Sequence, residues 1–161
     1  MGEGVTPDTE GLSFESSPLQ SIYTRALTFI KAWETNALDG LSALSTPMVK
    51  LEVPLREVNT VGQPDLLQYR ETLGTLGMLT VTSIRVTPTR FEANLHEYGI
   101  DKDQHGLPIM HAEVKLDFEQ QRDGSVLISR LFFNIEYIRQ ARRASISAAP
   151  LNEELNLAAE L

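Results

Sequence analysis

A chain of 161 residues, 42% of them hydrophobic, is long enough to bury one core of ordinary size without help from a metal or a disulfide. It has no cysteine, which excludes a disulfide framework, a thiol nucleophile and a thiolate metal site. The formal net charge of -8 argues against nucleic acid as a partner, since a phosphate backbone is gripped by a basic stripe, and the one basic cluster, RQARR at 139–143, is too small.

No apolar run reaches the length of a membrane span. The first residues, MGEGVTPDTEG, lack the basic start and apolar stretch of a leader. A soluble, cytoplasmic protein without a membrane partner is the expectation.

In chain order, residues 1–17 are rich in Gly, Ser, Thr, Pro and acid and are expected to form a mobile tail. The folded domain is expected over 18–140, and residues 141–161 read as a C-terminal extension. A first helix starts at Pro18, with Ser17 as its cap. Ile22, Ala26, Phe29, Ile30 and Trp33 recur at three- and four-residue spacing and form its buried stripe. Asn36 breaks that pattern, Leu38, Leu41 and Leu44 mark a short second helix, and Pro47 stops it. MVKLEVP at 48–54 alternates as a strand, with Val49, Leu51 and Val53 on one side and Lys50 and Glu52 on the other. A turn containing Gly62 and Pro64 leads into a third helix, DLLQYRETLGTLG, whose inner and flanking positions are Leu66, Leu67, Tyr69, Arg70, Leu73 and Leu76.

The segments RFEANLHEYGI, LPIMHAEVKLDF and SVLISRLFFNIEYI then alternate apolar and polar residues, separated by the turn signals DKDQHG and EQQRDG. Placing Ile100 opposite Leu107 sets Phe91, Ala93 and Leu95 against Leu116, Val114 and Ala112, and Glu97 against Met110. The other face then pairs Arg90 with Asp117, Glu92 with Lys115, Asn94 with Glu113 and His96 with His111. The two opposite-charge pairs, each worth a few tenths of a kcal/mol, support that register. On the third strand Leu127, Ser129, Leu131, Phe133, Ile135 and Tyr137 continue the apolar face. Ile128 and Phe132 fall on the opposite face among Arg130, Asn134 and Glu136, and an apolar pair there predicts a homodimer through the outer face of the sheet.

The run AWETNALDGLSALSTPMVKLEVP resembles the helix, acidic turn, short helix and strand that open the nuclear-transport-factor-2-like superfamily, and VGQPDLLQYRETLG is similar to its third helix. Polyketide cyclases of the SnoaL-like kind, ketosteroid isomerases and scytalone dehydratases are among its enzymes. The resemblance covers roughly residues 19–139. It implies an α+β fold in which a curved antiparallel sheet wraps around N-terminal helices as a cystatin-like cone, an apolar pocket at the open end, and frequently a dimer. It also shows departures. The catalytic Asp of the ketosteroid isomerases corresponds to Val53, their oxyanion Tyr to Phe29 and their protonated Asp to a position near Val114. His96 stands where scytalone dehydratases carry a His, while their Ser and Asn correspond to Ala112 and Val114. The Asp and His pair of the polyketide cyclases has no counterpart.

His96 and His111 read either as surface residues of a charged face or as a titrating pair that flanks a substrate; two His without a third ligand carry little weight as a zinc site. Glu97 is the sharper anomaly, the one carboxylate on the apolar face. A carboxyl in an apolar pocket is tuned by desolvation toward the range a general acid or base uses, unless it sits in water at the rim. Glu52 lies beside the family's catalytic position, on the opposite face of a regular strand. Tyr23, Tyr69 and Tyr137 are candidate hydrogen-bond donors to an oxyanion, with buried packing as the alternative. Phe29, Trp33, Met110 and Phe133 are core or pocket wall. There is no GxSxG elbow, phosphate loop or HExxH, and GTLG at 74–77 follows a helix, the reverse of a dinucleotide fingerprint. The chemistry that remains needs neither cofactor nor metal. The expected function is a cofactor-independent isomerase, dehydratase or cyclase acting on a polyketide- or terpenoid-like small molecule of secondary metabolism, with Glu97 or His96 moving the proton and a tyrosine or His111 holding the developing enolate or alkoxide. The alternative is a dimeric ligand-binding or scaffold protein without chemistry.

Overall fold

The apolar stripe of the first helix is what the rest of the chain wraps. In the computed structural model, which describes residues 18–99 and 107–138, helix α1 (Pro18–Thr35) buries Ile22, Ala26, Phe29, Ile30, Ala32 and Trp33. It ends at Asn36, whose φ of 59° is left-handed. The Ala37 N–H donates to the Ala32 carbonyl at 2.9 Å and the Asn36 N–H to the Trp33 carbonyl at 3.4 Å, the paired bonds of a Schellman ending. A short helix α2 (Leu38–Ala43) follows and buries Leu41.

Strand β1 (Ser45–Val53) begins earlier than the alternation from Met48 suggests. Pro47 sits inside it, at a register break between Ser45 and Lys50, where a missing N–H is tolerated. After a 3₁₀ turn, Pro54–Arg56, a short strand β2 (Val58–Val61) pairs back on β1. Helix α3 (Gln63–Thr72) leads into β3 (Met78–Thr87), β4 (Arg90–Tyr98), β5 (Pro108–Gln120) and β6 (Val126–Tyr137). The sheet order is β2-β1-β6-β5-β4-β3. It is a curved, unclosed sheet with α1 against its concave face, and the class is α+β.

The β4–β5 register is the one the charge pairing predicts, from Arg90 opposite Asp117 through His96 opposite His111 to Glu97 opposite Met110. Ile100, used to set it, lies outside the described residues, as do residues 1–17 with Ser17, the last two residues of the expected domain, 139–140, and the extension 141–161. All ten residues read as core from helix and strand periodicity, Ile22, Ala26, Phe29, Ile30, Trp33, Leu95, Ala112, Val114, Leu131 and Phe133, are buried.

Three features add detail to the expectation. The sheet is mostly antiparallel, with one parallel pair, β1 with β6. β2 and β3 are additional strands: β2 has only four residues, and β3 is an edge strand with an exposed, irregular pattern broken at Ser83, whose φ is 55°. Finally, a bulge between Asp117 and Phe118 pairs Phe118 with Ile128, so the alternation of β6 reverses before Arg130. Ile128 therefore points into the core and is 0% exposed, and the outer apolar pair reduces to Phe132 alone. Phe132 is half-buried and flanked by the cations of Lys115 and Arg130, 5.6 and 5.4 Å from its ring. No described helix is long and apolar enough to cross a membrane.

Candidate functional site

A cavity lies between the C-terminal end of α1, the segment after α3 and the concave face of β4, β5 and β6. Its lining is Trp33, Tyr69, Leu73, Leu76, Leu79, Leu95, Glu97, Met110, Ala112, Phe133, Ile135 and Tyr137. The inner wall is buried, whereas Tyr69, Leu73, Leu76, Leu79, Ile135 and Tyr137 are partly exposed and form the mouth. Trp33 is the central wall, with ring centroids 5.2 Å from Phe133, 6.3 Å from Tyr69 and 6.3 Å from Phe29. The cavity measures about 40 Å³.

Glu97 is the only charged side chain in that lining, and it is 1% exposed. Strand alternation puts it there: Phe91, Ala93, Leu95 and Glu97 face inward. Its Oε2 accepts a hydrogen bond from the Gly77 N–H at 2.9 Å. The approach is so close that a Cβ on Gly77 would lie 1.7 Å from the Tyr98 carbonyl oxygen, so only glycine fits.

Behind the wall stands a second buried charge, Arg70, also 1% exposed. Its Nε donates to the Trp33 carbonyl at 2.6 Å, its Nη1 to Gly74 at 2.8 Å and its Nη2 to Glu34 at 3.5 Å. Two of these acceptors are carbonyls in the last turn of α1, which carry the negative end of its dipole, and the Trp33 carbonyl is shared with the Asn36 N–H. Burial holds the guanidinium below its ordinary range, and the negative charges of Glu71 and Glu97 pull it back up. Arg70 thus ties the segment after α3 to α1 and places a positive field beside the Glu97 carboxylate. Glu34 adds a third tie, its Oε2 accepting from the Leu79 N–H at 2.8 Å.

The other residues read as site candidates are distributed by the same alternation. Trp33, Tyr69, Met110, Phe133 and Tyr137 line the cavity with Glu97, while Phe29 packs behind Trp33 and Tyr23 lies against the core away from it. His96, His111 and Glu52 are on the opposite, outer face and do not reach the cavity, because each is one residue out of phase with an inward-facing neighbour. The two imidazoles stack there with centroids 4.8 Å apart, and burial together with the nearby His111 lowers the pKa of His96. No group of three His, Asp or Glu able to hold a metal occurs among the described residues. Glu52 is held by Arg130 at 2.7 Å, and Arg130 also meets Asp117 at 3.2 Å, which in turn meets Arg90 at 2.6 Å. The Arg130 hydrogen bond keeps Glu52 below the ordinary carboxylate range despite partial burial.

Sequence reasoning missed Leu79 and Ile135 in the lining, and Gly77 and Arg56, which hydrogen-bond to the lining residues Glu97 and Tyr137. The β-branched run TVTSIRVT marks β3 and could have placed Leu79; no local signal places Arg56, whose Nη2 donates to the Tyr137 hydroxyl at 2.8 Å across 81 positions of sequence.

No family model matches the sequence, and no curated protein matches it significantly. The fold has solved counterparts. A cystatin-like protein of unknown function from Nostoc punctiforme superposes with a TM-score of 0.61 at 12% identity, covering 75% of this chain and 92% of that one. A ketosteroid isomerase-like protein from Erwinia carotovora atroseptica gives 0.55 at 14% identity, over 76% of this chain and 98% of that one. A nuclear-transport-factor-2-like protein from Cytophaga hutchinsonii gives 0.55 at 13% identity, over 71% and 95%. The chain has the nuclear-transport-factor-2-like fold.

Proposed function

We propose that the protein is a cofactor-independent proton-transfer catalyst, of the isomerase, dehydratase or cyclase kind, with Glu97 as the group that moves the proton. The observation that carries this reading is a fully buried carboxylate in an otherwise apolar cavity whose mouth bears two phenols, Tyr69 and Tyr137. A buried acid costs stability unless it is compensated, and a backbone N–H and the field of Arg70 contribute to that compensation here.

In the simplest case the Glu97 carboxylate takes a proton from the carbon beside a carbonyl. The C–H electron pair moves into the enolate, and a tyrosine hydroxyl donates a hydrogen bond to the oxygen. The Glu97 acid then returns the proton to a different carbon, and nothing else is consumed. His96, His111 and Glu52 take no part in this path. Cavity size bounds the substrate: about 40 Å³ holds a water or two, against roughly 300 Å³ at the low end of ligand pockets. A polyketide- or terpenoid-like substrate is therefore confined to small members of those classes, and even these require the Leu73 and Leu76 wall to move outward.

The test is deuterium incorporation beside the carbonyl of a panel of small cyclic and linear ketones in D2O, followed by NMR. Wild type is expected to exchange at least one of them, and Glu97→Gln to slow it at least about tenfold, roughly 1.4 kcal/mol of barrier. Absence of exchange throughout the panel, or an unaffected Gln variant, refutes the role.

The second reading is a binding pocket without chemistry. It is favoured by the resemblance to ketosteroid isomerases, which sets the apolar Val53, Phe29 and a position near Val114 where those enzymes carry their catalytic groups. A homodimer through the outer face belongs to the proposal as well, resting now on Phe132 alone. Phe132→Asp should give a monomer by light scattering, and an unchanged mass counts against it.

A further inference from the structure

The cavity has two unlike ends. Glu97, Met110 and Tyr137 stand in one row across β4, β5 and β6, since Glu97 pairs with Met110 and Met110 with Tyr137. Two strand spacings separate the outer members, so their backbones lie roughly 10 Å apart. The carboxylate is at one end of this row. At the other, the Arg56 guanidinium lies 5.2 Å from the centre of the Tyr137 ring and donates to its hydroxyl at 2.8 Å. Between them the walls are apolar: Met110, Ala112, Phe133 and Trp33.

Arg56 differs from the arginines of the outer face. Arg85, Arg90 and Arg130 each meet a carboxylate. Arg56 is exposed on the turn after β1 and makes no ion pair among the described residues; its only side-chain hydrogen-bond acceptor there is the Tyr137 hydroxyl. A guanidinium carries five N–H donors in a fork matched to a carboxylate, so the side chain retains donors for an incoming anion. Holding a long exposed side chain over one ring also costs rotamer entropy, and that ordering keeps the fork beside Tyr137, a residue of the cavity mouth.

We propose that the site takes an apolar monocarboxylic acid, bound with its carboxylate on Arg56 and its enolisable, oxygen-bearing end toward Glu97. The inference rests on the reading of the cavity as a substrate site and adds the substrate's charge and direction. Repulsion from Glu97 opposes the reversed orientation, so one end attracts the anion and the other rejects it. The acidic chain as a whole, at -8, makes a local cation the decisive attraction for such a ligand.

The experiment uses a chain-length series of linear keto acids together with their methyl esters, which keep the skeleton and remove the charge. Affinities are read by ligand-observed NMR and titration. On wild type at low salt at least one acid is expected to bind at least tenfold more tightly than its ester. Arg56→Gln should remove that preference and Arg56→Lys should retain part of it. Arg85→Gln, which alters an exposed arginine on the other face, should leave it intact. Glu97→Gln should preserve or strengthen acid binding. The inference is overturned if no acid binds, if esters bind as well as acids, or if Arg56→Gln keeps the preference. Acid binding that depends on Arg56 without any deuterium exchange upholds this inference and refutes the catalytic role of Glu97, so the two fail separately.

Discussion

Replacing Gly77 by alanine tests whether the segment before β3 is fixed by a steric requirement at the cavity. The new Cβ would stand 1.7 Å from the Tyr98 carbonyl oxygen and 2.9 Å from its carbon, both backbone atoms that cannot swing aside. Gly77 must therefore retreat, which stretches or breaks its 2.9 Å bond to Glu97. Losing a buried hydrogen bond to a charged group costs about 1.5–3 kcal/mol. Overpacking against fixed backbone adds about 1–3 kcal/mol. A total near 3–5 kcal/mol, with a urea dependence of about 2 kcal/mol per molar, lowers the unfolding midpoint by roughly 1.5–2.5 M. Gly74→Ala is the control: its φ of +66° is left-handed, but a Cβ there meets nothing within 4 Å, so about 1 kcal/mol is expected. Equal losses for the two variants in urea titrations followed by circular dichroism would refute the steric argument.

Leu131, fully buried on the inner face of β6, should cost about 2–5 kcal/mol as Leu131→Ala in the same titration. Arg130→Met, which breaks the Glu52–Arg130–Asp117 chain on a partly exposed face, should cost only about 1 kcal/mol, a difference that shrinks in high salt. His96 has its folded pKa lowered by burial and by His111, so the unfolded chain binds the proton more readily. Stability should then be full above the unfolded value of about 6.5 and fall as pH drops below it, and His96→Asn should flatten that part of the curve in unfolding titrations between pH 7.5 and 5. Glu97→Gln, which keeps an acceptor for the Gly77 N–H, should change stability by less than about 2 kcal/mol while slowing exchange at least about tenfold; a variant that unfolds instead makes Glu97 a structural residue.

What was legible in the sequence was what alternation and local charge encode. The face of β4 and its partner β5 follow from Phe91, Ala93 and Leu95 on one side and the Arg90–Asp117 and Glu92–Lys115 pairs on the other, and the same phase turns Glu97 inward. The bulge at Phe118 was not legible, because its effect on Ile128 is a single-residue slip with no signal of its own in a strand apolar on both faces. β2, at four residues, falls below the length at which alternation can be read. Nor could Arg56 be brought to Tyr137, since that meeting depends on β1 lying parallel to β6. Arg70 was visible as an inward position of α3, but its partners are backbone carbonyls, which leave no trace in side-chain patterns.

The alternation that makes Glu97 a candidate also separates it from His96, one residue away on the other face. A slip of one residue would have put the imidazole in the cavity and the carboxylate among charges, where it would cost nothing. The chain instead places an acid in a row of Leu79, Met110 and Tyr137, where an apolar residue of similar size would pack without desolvation. It accommodates that acid with a glycine that no other residue can replace and a second buried charge bonded to three carbonyls. Each of these is a departure from the residue that local packing favours, and all three converge on one end of one cavity. Such departures are tolerated where a site requires them, and the stacked His96 and His111 on the outer face, where polar residues are the rule, show no comparable concession. That contrast, rather than the likeness to isomerase-like folds, is what supports the proposal of proton transfer on the inner face.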